Sequence, residues 1–238
     1  MLVIDQISKS FSNKKSHKLA LDHVNLTINY GEVLGLIGPN GAGKSTLLRI
    51  IASILSPSEG SIYFEGKDVT TSDLIKSKIS YISVETGLYE QMTPYECMFF
   101  FGMLHEINKR EIHKKIEFLA QKFKFEEFLH QKIKVLSTGT RQKVLIAKGL
   151  IHEPKILILD EPTNGLDILA AYFVRETIST LKSLGTSIII STHIITDIEL
   201  CDQIAVLNKG KLVYNNKFSE IKGKYSSIEQ LFLEIDSF

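Results

Sequence analysis

The sequence has almost no net charge, few cysteines and no long apolar run, and each of these features argues against a class of protein. Lysine and arginine total 28 against 27 aspartate and glutamate residues, so the composition does not favour a general nucleic-acid-binding surface. Cys97 and Cys201 lie far apart with no C-x-x-C spacing, which argues against a zinc site or a disulfide framework. Buried free thiols in a reducing compartment are expected instead.

No segment of the sequence is suited to crossing a membrane. The longest apolar stretches, around residues 97–104 and 187–190, are well short of the roughly 18 residues that span a bilayer. Asp5 interrupts the apolar residues at the start, and no secretory signal is expected there. We therefore expect a soluble, cytosolic chain. If it serves a membrane process, another polypeptide must supply the membrane part.

The apolar residues that are present suffice for a full core. Of 238 residues, 44% are hydrophobic, which is enough for one large domain or for a domain with a subdomain. Continuous apolar runs at 33–37, 156–159 and 187–190 are typical of strands buried on both faces of a parallel sheet. A helical stretch at about 168–184 separates the last two runs, so the pattern predicts a mostly parallel α/β sheet.

Other stretches give different patterns. Short β-rich runs at 2–4, 24–28 and 61–64 predict an antiparallel layer beside the main sheet. Apolar residues at helical spacing between Leu47 and Leu55 predict a helix that the segment from Pro57 to Gly60 ends. From about Thr93 to Phe128 the pattern is helical again. Two apolar stripes lie there, the first at Phe99, Phe100, Met103 and Leu104, and the second at Ile112, Ile116, Leu119 and Phe123.

A glycine-rich segment between the first predicted parallel strand and its helix fits the phosphate-loop pattern G-x-x-x-x-G-K-[ST]. Its glycines let the backbone approach phosphates, its N–H groups form an anion nest, the lysine adds a positive charge, and the serine hydroxyl can coordinate Mg²⁺. The predicted nucleotide-binding residues are Gly38, Pro39, Asn40, Gly41, Ala42, Gly43, Lys44, Ser45 and Thr46. Many ATPases, GTPases and kinases share this motif.

Two later segments narrow the choice. Ser137 and Gly139 open a predicted helix, where a small hydroxyl residue and a glycine expose N–H groups suited to a γ-phosphate. Asp160 ends a buried strand, where a carboxylate can hold Mg²⁺ through water, and the adjacent Glu161 is placed to polarise an attacking water. Taken alone, this acidic pair could also be an ordinary strand cap.

With the phosphate loop, the stretch Leu136–Lys143 resembles the ATP-binding subunit of ABC transporters, and the resemblance runs from about Leu2 to the C-terminus. It implies that the segment from Pro162 to Asp167, which is similar to the family's D-loop, contributes to the nucleotide site. It also implies that His193 is the switch histidine at the γ-phosphate and that Phe11 stacks on adenine. From the residues alone, Phe11 could equally fill the core.

The resemblance also implies an architecture and partners. The expected fold is an α/β phosphate-loop NTPase core, residues 1–86 and 154–222, with an antiparallel β layer, an inserted helical subdomain at 87–153 and a short C-terminal helix at 223–238. Two such subunits, as a homodimer or a pair of different ATPases, would close head to tail around ATP and Mg²⁺. A transmembrane permease subunit at the inner face of the cell membrane would convert closure into export, and no nucleic-acid partner is expected.

Two positions depart from the family pattern. Val84 and Glu85 stand where members usually carry a glutamine, so phosphate sensing through that loop is not implied here. Thr138 replaces a commoner glycine and adds bulk at the contact with a partner's nucleotide. This form of the motif, with the segment from Thr86 to Tyr89, looks most like the ATPases of bacterial sodium-efflux and drug-export systems.

Two other classes of protein share part of this sequence pattern. A soluble ABC ATPase of translation or DNA maintenance usually joins two such domains or carries coiled-coil or basic insertions, and this sequence shows neither. A nucleotide-dependent switch or kinase with an ordinary phosphate loop would not explain the segment from Ser137 to Lys143, nor His193.

Overall fold

Ten strands and seven α-helices make up the part of the chain that the computed structural model describes, namely residues 1–13, 16–83, 87–224 and 230. The strands are β1 (Leu2–Asn13), β2 (Ser16–Ile28), β3 (Val33–Ile37), β4 (Glu59–Phe64), β5 (Lys67–Asp68), β6 (Ile79–Ser83), β7 (Ile156–Asp160), β8 (Ser187–Ser191), β9 (Gln203–Asn208) and β10 (Lys211–Lys217). The helices are α1 (Lys44–Ile51), α2 (Pro94–Leu104), α3 (Lys109–Phe123), α4 (Thr138–Leu150), α5 (Ile168–Ser183), α6 (Ile195–Ile198) and α7 (Phe218–Lys224).

The larger sheet has six strands in the order β10-β9-β3-β8-β7-β6. Its neighbours pair in parallel, except for the antiparallel edge pair β9 and β10. Strands β3, β7 and β8 are buried along their whole length, as their continuous apolar runs predicted. Because their carboxyl ends meet at one edge of the sheet, the loops that follow these three strands lie side by side there.

The smaller sheet, in the order β2-β1-β4-β5, is antiparallel throughout, which confirms the predicted β layer. A core of apolar side chains from both sheets and from helix α1 fills the space between them. Residues of β3 alternate between this core and a second one. Leu34 and Leu36 belong to the first, and Val33 and Ile37 to the core that the larger sheet shares with α2, α3, α4 and α5.

Helix α1 is shorter than the apolar spacing predicted. It ends at Ile51, well before Pro57, and Ile54 is exposed. Ser53 adopts a left-handed backbone with φ of 53°, a conformation that the α-helix cannot continue through. The helix therefore ends before the predicted boundary.

Of the two apolar stripes predicted between Thr93 and Phe128, the one in α3 agrees with the structure better than the one in α2. In α3 the stripe is correct, because Ile112, Ile116, Leu119 and Phe123 are buried. In α2 the stripe is wrong at three of its four positions, since Phe100, Met103 and Leu104 are exposed, whereas Phe99 is partly buried against the core. The buried residues of α2 include Cys97, Met98 and Gly102. Almost every position of α2 is apolar, so spacing carries little information about which face turns inward. A Cβ at Gly102 would lie 2.8 Å from Cγ1 of Ile112, which shows how closely α2 and α3 approach.

The expected N-terminus of α2 is present. The Thr93 hydroxyl accepts a hydrogen bond from the Glu96 N–H, and the Glu96 carboxylate accepts one from the Thr93 N–H. Helices α2, α3 and α4 lie within the range assigned to a helical subdomain, whose exact limits stay a prediction. Val84 and Glu85, together with nearly all of the C-terminal helix expected at 223–238, lie outside the described residues.

Candidate functional site

The phosphate loop joins the carboxyl end of β3 to helix α1, and two of its glycines are required by its path. Gly38 has φ of 151°, and a Cβ there would lie 2.1 Å from the carbonyl oxygen of Leu207. Gly43 has φ of 109°, and its Cβ would lie 2.6 Å from the Ala20 carbonyl oxygen. Any other residue would clash with neighbouring backbone, so the loop is held in one tight course against β2 and β9.

Lys44 is the first residue of α1 and is only 8% exposed. Its ammonium donates hydrogen bonds to the carbonyl oxygens of Gly38, at 2.7 Å, and Pro39, at 3.3 Å. Within the described chain, no side chain caps the N-terminus of α1. A buried cation beside uncapped N–H groups is a favourable environment for an anion such as phosphate.

A cleft of about 310 Å³ opens over this loop. Its wall is formed by the loop and α1 on one side, by β1 and β2 on another, and by Glu161. The lining residues are Phe11, Lys18, Ala20, Asn40, Gly41, Gly43, Lys44, Ser45, Thr46 and Glu161. Phe11 is 43% exposed, so its ring faces the cleft and does not fill the core.

Asp160 lies at the carboxyl end of β7, buried and hydrogen-bonded on both carboxylate oxygens. The Tyr81 hydroxyl donates to Oδ2 at 2.8 Å, and the Ser191 hydroxyl donates to Oδ1. Burial and the neighbouring carboxylate raise the pKa of Tyr81, which keeps the phenol protonated and able to donate. These bonds fix the orientation of the carboxylate at the end of its strand.

Glu161 follows directly in a left-handed backbone conformation with φ of 53°. Its N–H donates to both the carbonyl oxygen and the hydroxyl of Ser191, each at 3.0 Å, which holds the residue in this strained geometry. Nδ1 of His193 lies 2.9 Å from Oε2 of Glu161, an ion-pair contact when the imidazole is protonated. Beside this contact, the buried oxygen accepts no hydrogen bond from the residues that the structure describes.

The helix opened by Ser137 lies apart from the residues that line the cleft. Ser137 is the N-cap of α4, and its hydroxyl accepts from the Thr140 N–H at 3.2 Å. Ser137 is exposed, and Gly139 lies beside the first turn of α5, where its Cβ would be 3.6 Å from that of Ala170. Asp167 caps α5 by accepting from the Ala170 N–H at 2.8 Å. These three residues thus lie at adjoining helix starts.

The structure brings most of the predicted residues to one edge of the sheet. The phosphate loop, Phe11 and Glu161 share the cleft, and Asp160 and His193 adjoin Glu161. Sequence reasoning missed Lys18 and Ala20 of the cleft wall, and it missed Tyr81 and Ser191 as partners of Asp160. Ser191 directly precedes the Thr-His pair and could have been found there. Tyr81 lies 79 residues from Asp160, with no local signal.

A phosphate loop between a buried parallel strand and a helix, facing an Asp-Glu pair at a nearby strand end, defines a phosphate-loop nucleoside triphosphatase. Comparison with known proteins narrows this class. The family model "ABC transporter" matches residues 21–164. The ABC transporter ATP-binding protein NatA of Bacillus subtilis is 39% identical over 93% of this chain and 91% of its own length. The lantibiotic transport ATP-binding protein SrtF of Streptococcus pyogenes is 36% identical over 98% and 96%.

Solved structures agree. A dimeric ATP-binding cassette in a post-hydrolysis state, bound to ADP and Pi, superposes with a TM-score of 0.82 at 26% identity, covering 91% of this chain and 98% of that one. The chain belongs to the ABC transporter family, as an ATP-binding subunit. It is therefore an ATPase, and subunits of this kind dimerise and pair with transmembrane subunits. No helix in the described ranges is both long and apolar enough to span a bilayer.

Proposed function

We propose that two copies of this chain close head to tail around two ATP molecules and thereby drive export through a separate transmembrane subunit. In each site, Lys44, Ser45 and Asp160 of one copy bind ATP and Mg²⁺. Ser137 and Gly139 of the other copy close over the γ-phosphate. Hydrolysis, aided by Glu161 and His193, reopens the pair.

The phosphate loop supports the binding half of this proposal. Lys44 and the uncapped first turn of α1 face the cleft, where the ammonium can exchange its two carbonyl partners for phosphate oxygens. Phe11 presents its ring at the cleft wall, where a base can stack on it. Glycines 38, 41 and 43, with Pro39, Asn40, Ala42 and Thr46, set the course of the loop around the phosphates.

Mg²⁺ fits the donors that are present. The Ser45 hydroxyl and the Asp160 carboxylate are hard oxygen ligands, and Mg²⁺ in such sites is usually held by one or two carboxylates together with substrate phosphates. When bound, the ion neutralises the charge that develops on the phosphate oxygens. The contribution of this chain is to orient Asp160 through Tyr81 and Ser191.

The observation that carries the proposal is the Glu161 carboxylate, whose buried Oε2 contacts Nδ1 of His193 and accepts no hydrogen bond from the described residues. A buried carboxylate oxygen without a well-formed hydrogen bond is stabilised when it accepts one from a water or a ligand. Glu161 also lines the cleft above Lys44. A water held by this oxygen would lie beside the bound phosphates, with the exposed His193 next to it, and Glu161 could take its proton as the water attacks.

The exposed N-terminus of α4 supports the paired arrangement. Ser137 and Thr138 stand at the surface, away from the cleft of their own copy. An exposed helix start with a serine N-cap suits a phosphate supplied from outside the chain. The neighbouring α5 start, with Asp167, continues the same surface, so a second copy can bring both elements over the ATP.

The membrane partner is assigned to an aromatic surface formed by Tyr89, Phe100, Met103 and Leu104, all of which are exposed. The Tyr89 ring packs edge-to-face on Phe100 at 6.1 Å, so the surface is preformed. Exposed apolar patches of this kind mark interaction sites. We assign it to a cytoplasmic helix of the transmembrane subunit, which places the chain at the inner face of the membrane. Export as the direction of transport rests on the sequence resemblance to the ATPases of sodium-efflux and drug-export systems.

The domain limits are part of the same proposal. Residues 1–86 and 154–222 are assigned to the nucleotide-binding core, and residues 87–153 to the helical subdomain that carries Ser137 and the aromatic surface.

The test is ATP turnover by the purified chain and by Glu161→Gln. The variant keeps the shape of the side chain but removes its basicity, so turnover should fall by about 100-fold or more while ATP affinity stays intact. Glu117→Gln, at an exposed position of α3, is the matched control and should turn over like the parent. Parent-like turnover by Glu161→Gln would show that another group activates the water.

A further inference from the structure

Asp197 of helix α6 is fully buried and accepts hydrogen bonds from two loops and a helix. Its exposed fraction is 0%, and its Oδ2 accepts from the hydroxyls of Thr163 and Thr192, the second at 3.1 Å. Its Oδ1 lies 3.3 Å from Nη1 of Arg175 in α5. A buried carboxylate is stable only with such partners, so this arrangement joins the segments that supply them.

The two threonines belong to the loops that carry the proposed reacting side chains. Thr163 comes two residues after Glu161, in the loop between β7 and α5. Thr192 directly precedes His193 in the loop between β8 and α6, and its hydroxyl also accepts from the Ile194 N–H at 3.0 Å. One carboxylate oxygen therefore ties the Glu161 loop to the His193 loop, at the place where these side chains approach to 2.9 Å.

Both loops need such a restraint. Glu161 is held in a left-handed conformation that costs free energy for a non-glycine residue, and His193 is 57% exposed. The tip of the first loop, at Asn164 and Gly165, is exposed as well. Because a displacement of about 1 Å at a reacting group can cost about 100-fold in rate, the restraint on these loops should be visible in catalysis.

We propose that Asp197 is a positioning residue of the ATPase reaction. Through the hydroxyls of Thr163 and Thr192, it fixes the positions of Glu161 and His193 relative to each other. The inference rests on the roles proposed above for Glu161 and His193. Asp197 touches neither the cleft nor the phosphate loop. It should therefore affect the rate of turnover and leave ATP binding largely alone.

The experiment compares Thr163→Val, which removes the hydroxyl at nearly constant shape, with Thr163→Ser, which keeps it. The same pair is made at Thr192. We expect each valine variant to lose kcat by about tenfold or more, with ATP affinity within about threefold of the parent. Each serine variant should recover most of that rate. The matched control is Thr177→Val, which removes a buried hydroxyl on α5. Among the described residues, this hydroxyl bonds to the Phe173 carbonyl oxygen of its own helix, at 2.8 Å.

A double-mutant cycle then tests whether the effect passes through Asp197. If Thr163 acts through this carboxylate, Thr163→Val combined with Asp197→Asn should be no slower than the worse single variant. If Asp197→Asn does not fold, the threonine pairs decide the question by themselves. The proposal is overturned if the valine variants turn over like the parent, if serine and valine lose equally, or if ATP affinity falls in step with kcat.

Glu161→Gln, measured alongside, separates this inference from the function on which it rests. If Glu161→Gln loses turnover while the valine variants turn over like the parent, only the proposed role of Asp197 is refuted. Parent-like turnover in Glu161→Gln would remove the proposed role of Glu161 itself.

Discussion

Acidification should destabilise this protein through His152, a half-buried histidine that the fold keeps in its uncharged form. The residue follows α4, and its ring stacks on that of His105, at the end of α2, with centroids 3.8 Å apart and an interplanar angle of 2°. Its Nε2 lies 3.2 Å from the Ile79 carbonyl oxygen, and Nδ1 has no partner in the described part of the chain. Burial, followed by the nearby His105, lowers its pKa from 6.5 to about 4.

The sign follows from proton binding. In the unfolded chain His152 takes up a proton below about pH 6.5, whereas in the fold it stays neutral down to about pH 4. Stability from this residue is therefore fully present above the unfolded pKa and is lost as the pH falls through the window between the two values. At about 1.4 kcal/mol per pKa unit, going from about pH 7.5 to about pH 5 should remove about 2 kcal/mol of unfolding free energy. Burial also lowers the pKa of His105, which adds loss of the same sign.

The assay is urea unfolding of the parent and of His152→Gln at both pH values, fitted with a common m-value. The His152→Gln variant should be less stable than the parent at neutral pH, because it loses the ring stacking. On acidification, its unfolding free energy should fall by about 2 kcal/mol less than that of the parent. His130→Gln, at an exposed histidine, reports how much any histidine substitution changes the slope. Equal losses in the parent and in His152→Gln would refute the reasoning.

Two further predictions concern the cleft. Lys44→Ala should reduce ATP affinity by at least about 100-fold and abolish turnover, because hydrogen bonds to a charged group each contribute about 1.5–3 kcal/mol. Equilibrium binding of a fluorescent ATP analogue measures the affinity. An affinity within a few-fold of the parent would place the phosphates elsewhere. Phe11→Ala should weaken ATP binding by about 5- to 150-fold, the range for a base that loses its aromatic stack, and should leave binding of inorganic triphosphate unchanged. Phe118→Ala, at an exposed phenylalanine of α3 outside the cleft, is its control.

The parts of the fold that local sequence determines were predictable. Continuous apolar runs marked strands β3, β7 and β8, and glycines at fixed spacing marked the phosphate loop, because backbone geometry alone demands them there. The inward face of α2 was not predictable, because its apolar residues surround the helix and only packing against Ile112 selects Gly102.

The candidate site, like the fold, was predictable where the local sequence determines it. Asp160 ends an apolar strand, Glu161 and His193 come just after apolar strands, and a shared sheet edge brings the three together. The role of Asp197 was not predictable, because an aspartate in a short segment of mixed polar and apolar residues is typical of a solvent-exposed position. Its partner Thr163 is 34 residues away and meets it only through the fold. Tyr81 was missed for the same reason.

The central claim is that ATP closes two copies head to tail. It is tested most directly by the mass of Glu161→Gln in solution, measured by size exclusion with light scattering. With ATP and Mg²⁺ the variant should run as a stable dimer of the 26.8 kDa chain, and without nucleotide as a monomer or a transient dimer. Adding Ser137→Arg places a bulky cation at the contact with the γ-phosphate bound to the partner. The double variant should therefore be monomeric, while each monomer still binds ATP. A double variant that dimerises as well as Glu161→Gln alone would contradict the head-to-tail arrangement.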